Sequence, residues 1–382
     1  MKKHKTYQIC TNCVMDTTDD EIVFDSRGVC NHCHDFEVHQ QPQILKGSLG
    51  EQALAPLLNR IKQDGRGKAY DCIIGLSGGV DSSYVAHRVI ELGLRPLAVH
   101  VDTGWNSELA VSNIEKIVEK LKIDLFTTVI DWDEMRDLQL AFFRSGVPNC
   151  DVPQDHAFVA VLFQLAAKKG IHWVISGHNL QTESILPESW GYTSIDSRHL
   201  KAIHARFGTQ RLKSFPTYSL FQYTFWWPYI RKIRILKLLN YEDYNKEAAK
   251  QFLIERFGWR DYGGKHYESR FTKFFQSYYL PVRFGYDKRR AHLASMVVSG
   301  QITRELALEE LKRPPFNPEE AAQDKLFVAK KLGISPEELE EILNRPRTTH
   351  LDYPSNAERI RALLSFKQRL AGWLRSWKAG RA

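Results

Sequence analysis

An α/β fold built on a parallel sheet is what the residues predict. Three observations carry that prediction: short apolar runs alternating with amphipathic stretches between residues 71 and 176, a glycine-rich turn between the first run and the first helix, and two Cys-x-x-Cys pairs ahead of both. Apolar strands alternating with helices imply a parallel sheet covered on both faces, since each crossover helix buries its stripe on a sheet face.

The cysteines come first. Cys10-x-x-Cys13 and Cys30-x-x-Cys33 are separated by sixteen residues. Four thiolates so spaced predict a zinc ribbon over residues 1–45. Two disulfides or a redox pair are the rival readings, and a cytoplasmic chain disfavours the disulfides. His32 and His34 flank the second pair, but four sulfurs make them unnecessary as ligands. Residues 22–24 and 26–29 predict a small hairpin turning at 25–28. So small a module has no core of its own, and the metal would supply its folding energy. A closed four-thiolate site leaves no open position, so its expected role is structural.

Residues 40–50 read as a linker and 51–63 as an amphipathic helix. Strands are then expected at 71–76, 95–101, 124–130 and 172–176, with helices at 82–92, 107–121, 133–143 and 154–169 between them. Ligands of such sheets bind at the carboxyl ends of the strands. The first of those ends is Ser77-Gly78-Gly79-Val80-Asp81-Ser82-Ser83. A strand running through a glycine turn into a helix presents free N–H groups and the positive end of the helix dipole to an anion. Glycine lets the backbone approach a phosphate closely, and the serines add hydroxyl donors. Asp81 is repelled by a phosphate unless a cation bridges the two, so the loop points to ATP with Mg²⁺ and to Asp81 as a metal contact.

The Gly-Lys-Ser/Thr of a Walker A loop is missing. The loop instead resembles the SGGxDS loop of the PP-loop ATP pyrophosphatase superfamily, which implies an adenine nucleotide alpha hydrolase-like domain over residues 46–240. In that superfamily the loop holds the pyrophosphate end of ATP while a substrate oxygen attacks the α-phosphorus. At the second strand end lie Val101 and Asp102, placed for ribose or adenine, with Trp105 offered for stacking. At the fourth lie Gly177, His178, Asn179 and Glu183. That segment resembles the GHN…E element of PP-loop tRNA-modifying enzymes and their relatives, whose residues line the ATP site and whose carboxylate helps hold Mg²⁺; Glu183 is the candidate for that place here.

Other residues stay ambiguous. Cys72 reads as strand packing. Cys150 reads as a loop cysteine near the pocket, with a catalytic thiol as the alternative. His156 and His178 are candidates to move protons, though a lone histidine is more often structural. Residues 190–228 are long, irregular and aromatic, and an expected lid over the site. Residues 218–239, with Phe221, Phe225, Trp226, Trp227 and Tyr229, read as a buried helix or substrate-loop anchor rather than an interfacial helix. From 241 to 382 the chain is expected to be a helical region, with helix starts at Asn317-Pro318 and Ser335-Pro336.

Residues 265–292 mix aromatic and ionisable side chains. Together the Cys-x-x-Cys ribbon, GLSGGVDSS, VPQDH, GHNLQTES and YYLPVRFGYDKRRAH resemble the N-acetyl sugar amidotransferase family of the PP-loop superfamily, over residues 10 to 311. The resemblance implies service in bacterial lipopolysaccharide O-antigen or nonulosonic acid pathways. There an acetamido group on a nucleotide-activated sugar becomes an acetamidino group, with ATP spent and ammonia supplied by separate glutaminase and cyclase-like subunits. Lys288, Arg289 and Arg290 would pair with a sugar carboxylate or diphosphate, arginine suiting the bidentate geometry. A tRNA-thiolating or lysidine-type PP-loop enzyme is the second reading, and a zinc-ribbon binding module with a vestigial loop the third. The net charge of +8 suits nucleotide ligands and RNA alike. No nucleic-acid partner is expected, because no RNA-binding domain is recognised. No apolar run reaches the ~18 residues of a membrane span, and the lysine-rich start lacks the apolar core of a signal peptide, so a cytoplasmic protein is expected.

Overall fold

The computed structural model describes residues 6–264, 267–363 and 365. Its centre is a five-stranded, wholly parallel sheet of order β3-β2-β1-β4-β5: β1 (Cys72–Gly75), β2 (Pro96–Asp102), β3 (Asp124–Val129), β4 (Trp173–Ser176) and β5 (Arg234–Lys237). The helices before and within it are α1 (Asn31–Asp35), α2 (Gly47–Asp64), α3 (Val80–Glu91), α4 (Glu108–Leu121), α5 (Trp132–Ser145), α6 (Val152–Lys169), α7 (Leu180–Glu183), α8 (Ser197–Phe207) and α9 (Lys246–Phe257). Strand side chains alternate between two cores. Ile73, Leu97, Val99 and Val101 pack beneath α5 and α6, while Cys72, Ile74 and Ala98 pack with α2, α3, α4 and α9. The first four strands and their helices lie where the apolar alternation predicts them.

Local chemistry sets the element ends. Ser107 and Asn179 cap α4 and α7 by accepting backbone N–H bonds. Gly146 and Gly170 take left-handed conformations that stop α5 and α6. The chain runs outward from β1 through β2 to β3, then returns to place β4 on the other side of β1. That reversal opens a crevice at the carboxyl ends of β1 and β4.

Two expectations are corrected here. Residues 218–239 are not one buried helix: Gln222–Ile230 forms a π-helical turn, and β5 follows it. Trp227 is buried against Phe163, but Phe221, Phe225 and Tyr229 are exposed. Nor do residues 190–228 cover the β1–β4 crevice. They hold α8, which packs on α5, and a strap pinned by two buried carboxylates of α5. Glu134 accepts the backbone N–H groups of Lys213, Ser214 and Phe215, and Asp137 those of Thr209 and Gln210.

The rest is helical among the described residues: α10 (Arg270–Phe274), α11 (Leu280–Phe284), α12 (Lys288–Val298), α13 (Arg304–Lys312), α14 (Pro318–Leu332) and α15 (Pro336–Asn344). Asn317 and Ser335 cap α14 and α15 with proline at the first turn, as their sequences predict. The cysteine ribbon docks on this region. Cys10, Cys13, Cys30 and Cys33 share one small core with Ile185, Trp190, Ala291, Ala294 and Ala307. Arg304 donates to the carbonyls of Cys10 and Cys13, and the Arg290 guanidinium meets buried Asp16 at 3.1 Å. The expected turn is present, with the Gly28 N–H donating to the Asp25 carbonyl.

Candidate active site

The crevice holds a cavity of about 390 Å³ lined by Ser77, Gly79, Val80, Asp81 and Ser82 from the first loop and by Gly177, His178 and Glu183 from the fourth. The loop is braced from within. Ser82 Oγ bonds the Gly79 carbonyl at 3.1 Å and lies 3.2 Å from Ser77 Oγ. Gly78 sits at φ +83°, its position for a Cβ 2.6 Å from the Ala110 carbonyl oxygen, so neither the conformation nor the space admits a side chain. The indole N–H of Trp259 donates to the Gly78 carbonyl, which leaves the following turn free to face the cavity.

Asp81 begins α3 and is held on several sides. Tyr244 Oη donates to its Oδ1 at 2.5 Å, Asn179 Nδ2 lies 3.4 Å from the same oxygen, and Lys246 Nζ stands 4.0 Å from Oδ2. Burial and the Asp81 charge together hold the Tyr244 phenol well above its usual range, so it stays a donor. Glu183 meets His178 Nδ1 at 2.5 Å. The two carboxylates line the same cavity of about 390 Å³, where they could supply oxygens to a magnesium ion that takes the rest from a nucleotide.

Other residues named from sequence fall elsewhere. Gly78 and Ser83 lie behind the loop and do not line the cavity; Ser83 is fully buried. Asp102 closes its own turn by accepting from Gly104 and Asn106, while Val101 lines a second, deeper cavity. Trp105 offers no stacking face, being buried among Trp132, Phe271 and Phe327. His156 is buried and stacked on Tyr218, with Nδ1 at 2.6 Å from the Ser194 carbonyl; burial pulls it down to about 4, so it does not shuttle protons near neutrality. Cys150 is sealed in the core, its thiol pushed up to about 12 by burial, which removes it as a nucleophile. Burial likewise pushes up the Cys72 thiol within β1.

Lys288 and Arg289 open α12. Both line a third cavity of about 430 Å³ together with Lys246, His292 and Arg313, and Lys288 also reaches the second. Arg289 holds Asp287 at 2.7 Å. Arg290 is turned away to the ribbon, so it does not join them as its sequence neighbours suggest. Sequence reasoning missed Lys246, Lys250, Tyr262 and Glu268, which complete the loop cavity, and Tyr244, which holds Asp81 from outside it. Lys246 and Lys250 lie one turn apart on α9, a spacing that marks a common face but not what that face meets.

At the ribbon the four Sγ atoms lie within 4.8 Å of one another and all four cysteines are buried. Separations of 3.8 Å for Cys10–Cys33, 3.7 Å for Cys13–Cys30 and 3.7 Å for Cys30–Cys33 exclude disulfides. They match the roughly 3.8 Å edge of a tetrahedron with Zn–S bonds of about 2.3 Å. Backbone N–H groups of Asn12, Cys13 and Cys30 point at Cys10 Sγ, as a thiolate requires. The residues fit zinc.

Comparison with known proteins adds the following. Residues 268–367 match the family model of the LPS biosynthesis protein WbpG-like C-terminal domain. No curated protein gives a significant match. Among solved structures, an NMN synthetase from Francisella tularensis is 20% identical with a TM-score of 0.28, over 35% of this chain and 56% of that one. An NH3-dependent NAD synthetase from Campylobacter jejuni is 16% identical with a TM-score of 0.28, over 41% and 72%. A predicted subunit of tRNA methyltransferase from Methanocaldococcus jannaschii is 16% identical with a TM-score of 0.27, over 48% and 76%. The chain thus spans little more than half the length of the NMN synthetase, and likeness at these TM-scores says nothing of reaction or ligand. The helices from α10 onward, which carry Lys288 and Arg289 to the edge of the crevice, thus fall within the region similar to the WbpG-like C-terminal domain of LPS biosynthesis proteins.

Proposed function

We propose that the protein is an ATP-dependent amidotransferase of surface-polysaccharide biosynthesis, turning the acetamido group of a nucleotide-activated sugar into an acetamidino group and releasing AMP and pyrophosphate. The observation that carries this is the junction of two parts: a phosphate-loop cavity with two carboxylates, and a basic cavity, lined largely by the region similar to the WbpG-like domain, that adjoins it at Lys246 and Met296.

An amide carbon is a poor electrophile until its oxygen carries a leaving group. In this reading the N–H groups of the Ser77–Ser82 turn and the Ser77 and Ser82 hydroxyls hold the pyrophosphate end of ATP, and the start of α3 adds its dipole. Asp81 and Glu183 would hold Mg²⁺, which offsets the charge of departing pyrophosphate. Tyr244 and Asn179 fix the Asp81 rotamer. Lys246 contributes fixed positive charge beside the loop. The amide oxygen attacks the α-phosphorus, ammonia then adds to the adenylated imidate carbon, and AMP leaves. Lys288 and Arg289 bind the acceptor's phosphates or carboxylate. The ribbon zinc is structural, ammonia comes from separate glutaminase and cyclase-like subunits, and the site of action is the cytoplasm; among the described residues no helix is long and apolar enough to cross a membrane. No nucleic acid takes part. The assay is AMP release from ATP and ammonium with a panel of nucleotide-linked acetamido sugars. AMP formed only with tRNA and a sulfur donor would instead identify a thiolating enzyme.

A further inference from the structure

Behind the loop cavity lies a second one of about 400 Å³, within the size range of small-molecule sites. It meets the loop cavity at Ser77 and Glu268, and the basic cavity at Gln276 and Lys288. A ligand that spans the second and basic cavities can therefore reach one that sits in the loop cavity. Phe158, Leu162 and Phe275 give the second cavity an apolar wall, and Asp151 and Asp155 from the first turn of α6 give it a polar one. The two carboxylates are used differently. Asp151 accepts from Gln154 and, at 2.9 Å, from Thr272, so its place is set by the protein. Asp155 opens onto the cavity, and among the described residues its carboxylate takes no hydrogen bond from the protein.

We infer that this cavity seats the acylamino end of a nucleotide-linked sugar, with Asp155 accepting the amide N–H and the phosphates lying beyond Lys288 in the basic cavity. The inference rests on the amidotransferase reading. An acetamido group needs an apolar seat for its methyl, an acceptor for its N–H, and an open side for its oxygen. The aromatic wall, Asp155 and the junction at Ser77 supply these three. Asp155 then has a chemical task. As the carbonyl oxygen bonds the α-phosphorus and the bond to pyrophosphate breaks, the amide proton passes to the carboxylate and a C=N bond forms; Asp155 later gives that proton to water. Ammonia next forms the C–N bond, AMP departs with the C–O electron pair, and one ammonia proton moves to the sugar nitrogen, leaving an amidinium. Desolvation by the cavity walls and the Asp151 charge push Asp155 up to about 8, against the opposing pull of Lys288, which makes it a stronger base than an ordinary carboxylate. Glu268 and His100 are the other titratable groups facing the cavity.

The test is calorimetric binding to the full chain, followed by turnover. Probes are a panel of UDP- and CMP-linked acetamido sugars, with UDP-glucose as the amide-free control and ATP as the control for folding. The wild type should bind at least one acetamido sugar more than about tenfold tighter than UDP-glucose. Asp155→Asn should lose that preference while binding ATP normally. In turnover the rise of kcat as pH approaches 8 should vanish in the variant. Equal affinity for acetamido and hydroxyl sugars in the wild type, no sugar binding at all, or an unchanged preference in Asp155→Asn overturns the inference. If acetamido sugars bind as expected but no acceptor yields AMP, the amidotransferase reading fails while the acylamino pocket stands.

Discussion

In the proposed mechanism Asp81 carries the most chemistry of any single residue, and its variant is the sharpest residue-scale test. Its carboxylate is tied to Tyr244, Asn179 and Lys246, so Asp81→Asn keeps the neighbours in place and removes a charge. AMP formation should fall by about a hundredfold or more with the melting temperature little changed. Retained turnover would remove Asp81 from the mechanism. Gly78 is the other decisive position. Its positive φ and the Ala110 carbonyl leave no room for a methyl, so Gly78→Ala should distort the turn and weaken ATP binding, measured by calorimetry, more than it slows any later step. The tight turn at Gly78 and the place of Asp81 at the cavity were legible, because the glycines and the aspartate of the loop have distinct physical duties. Ser83 was not: the same motif places it one helical position too far round, where it is buried. Trp105, His156 and Arg290 misled for a shared reason. A side chain's type shows what it is able to bind, and only packing shows that it is already bound to Phe271, Tyr218 and Asp16.

Among elements, those with a clean period were read correctly. The first four strands are short apolar runs with turn residues at both ends. β5 escaped notice because only Leu236 of its four residues is buried and the aromatic run before it reads as helix. The 190–228 strap escaped for a different reason. Its backbone N–H groups are satisfied by Glu134 and Asp137, acidic residues some seventy positions earlier, a pairing no local pattern encodes. Glu134→Ala should therefore leave three backbone donors without a partner, of which the Phe215 N–H is buried. The expected loss is on the order of 2 kcal/mol in urea unfolding, with kcat of the surviving native protein unchanged. The ribbon makes a separate prediction. The purified chain should contain one zinc per molecule by elemental analysis, and Cys30→Ser should lose it together with thermal stability. Because Arg304 and Arg290 reach from α13 and α12 to the ribbon, the loss should also loosen the helix that carries Lys288 and Arg289.

For the whole molecule, two buried histidines and the cavity carboxyl of Asp155 predict a bounded stability optimum. Burial pulls His156 and His199 from 6.5 down to about 4. Below 6.5 the unfolded chain takes up protons that the native chain refuses, so stability present above 6.5 is lost as pH falls through 4. Asp155 acts in the opposite sense. Its pKa is raised from 3.8 to about 8, so across that interval the native chain keeps a proton the unfolded chain gives up, and stability falls as pH rises. Asp155→Asn should then be more stable than the wild type at pH 8 in urea titrations, with the gap closing toward pH 4. A variant no more stable at pH 8 would show that the carboxyl ionises freely. The stability cost accompanies the open, unbonded carboxylate that a functional pocket needs.

Three adjoining cavities, the first lined by the loop, underlie the central proposal, that ATP is spent to activate an amide on a sugar. Mass spectrometry after incubating the wild type with ATP, Mg²⁺, ammonium and nucleotide-linked acetamido sugars tests it most directly. The account predicts AMP and a sugar nucleotide whose amide oxygen has been replaced by NH, in equal amounts and only when ammonium is present. ADP in place of AMP, or AMP with every acetamido sugar recovered unchanged, would contradict it.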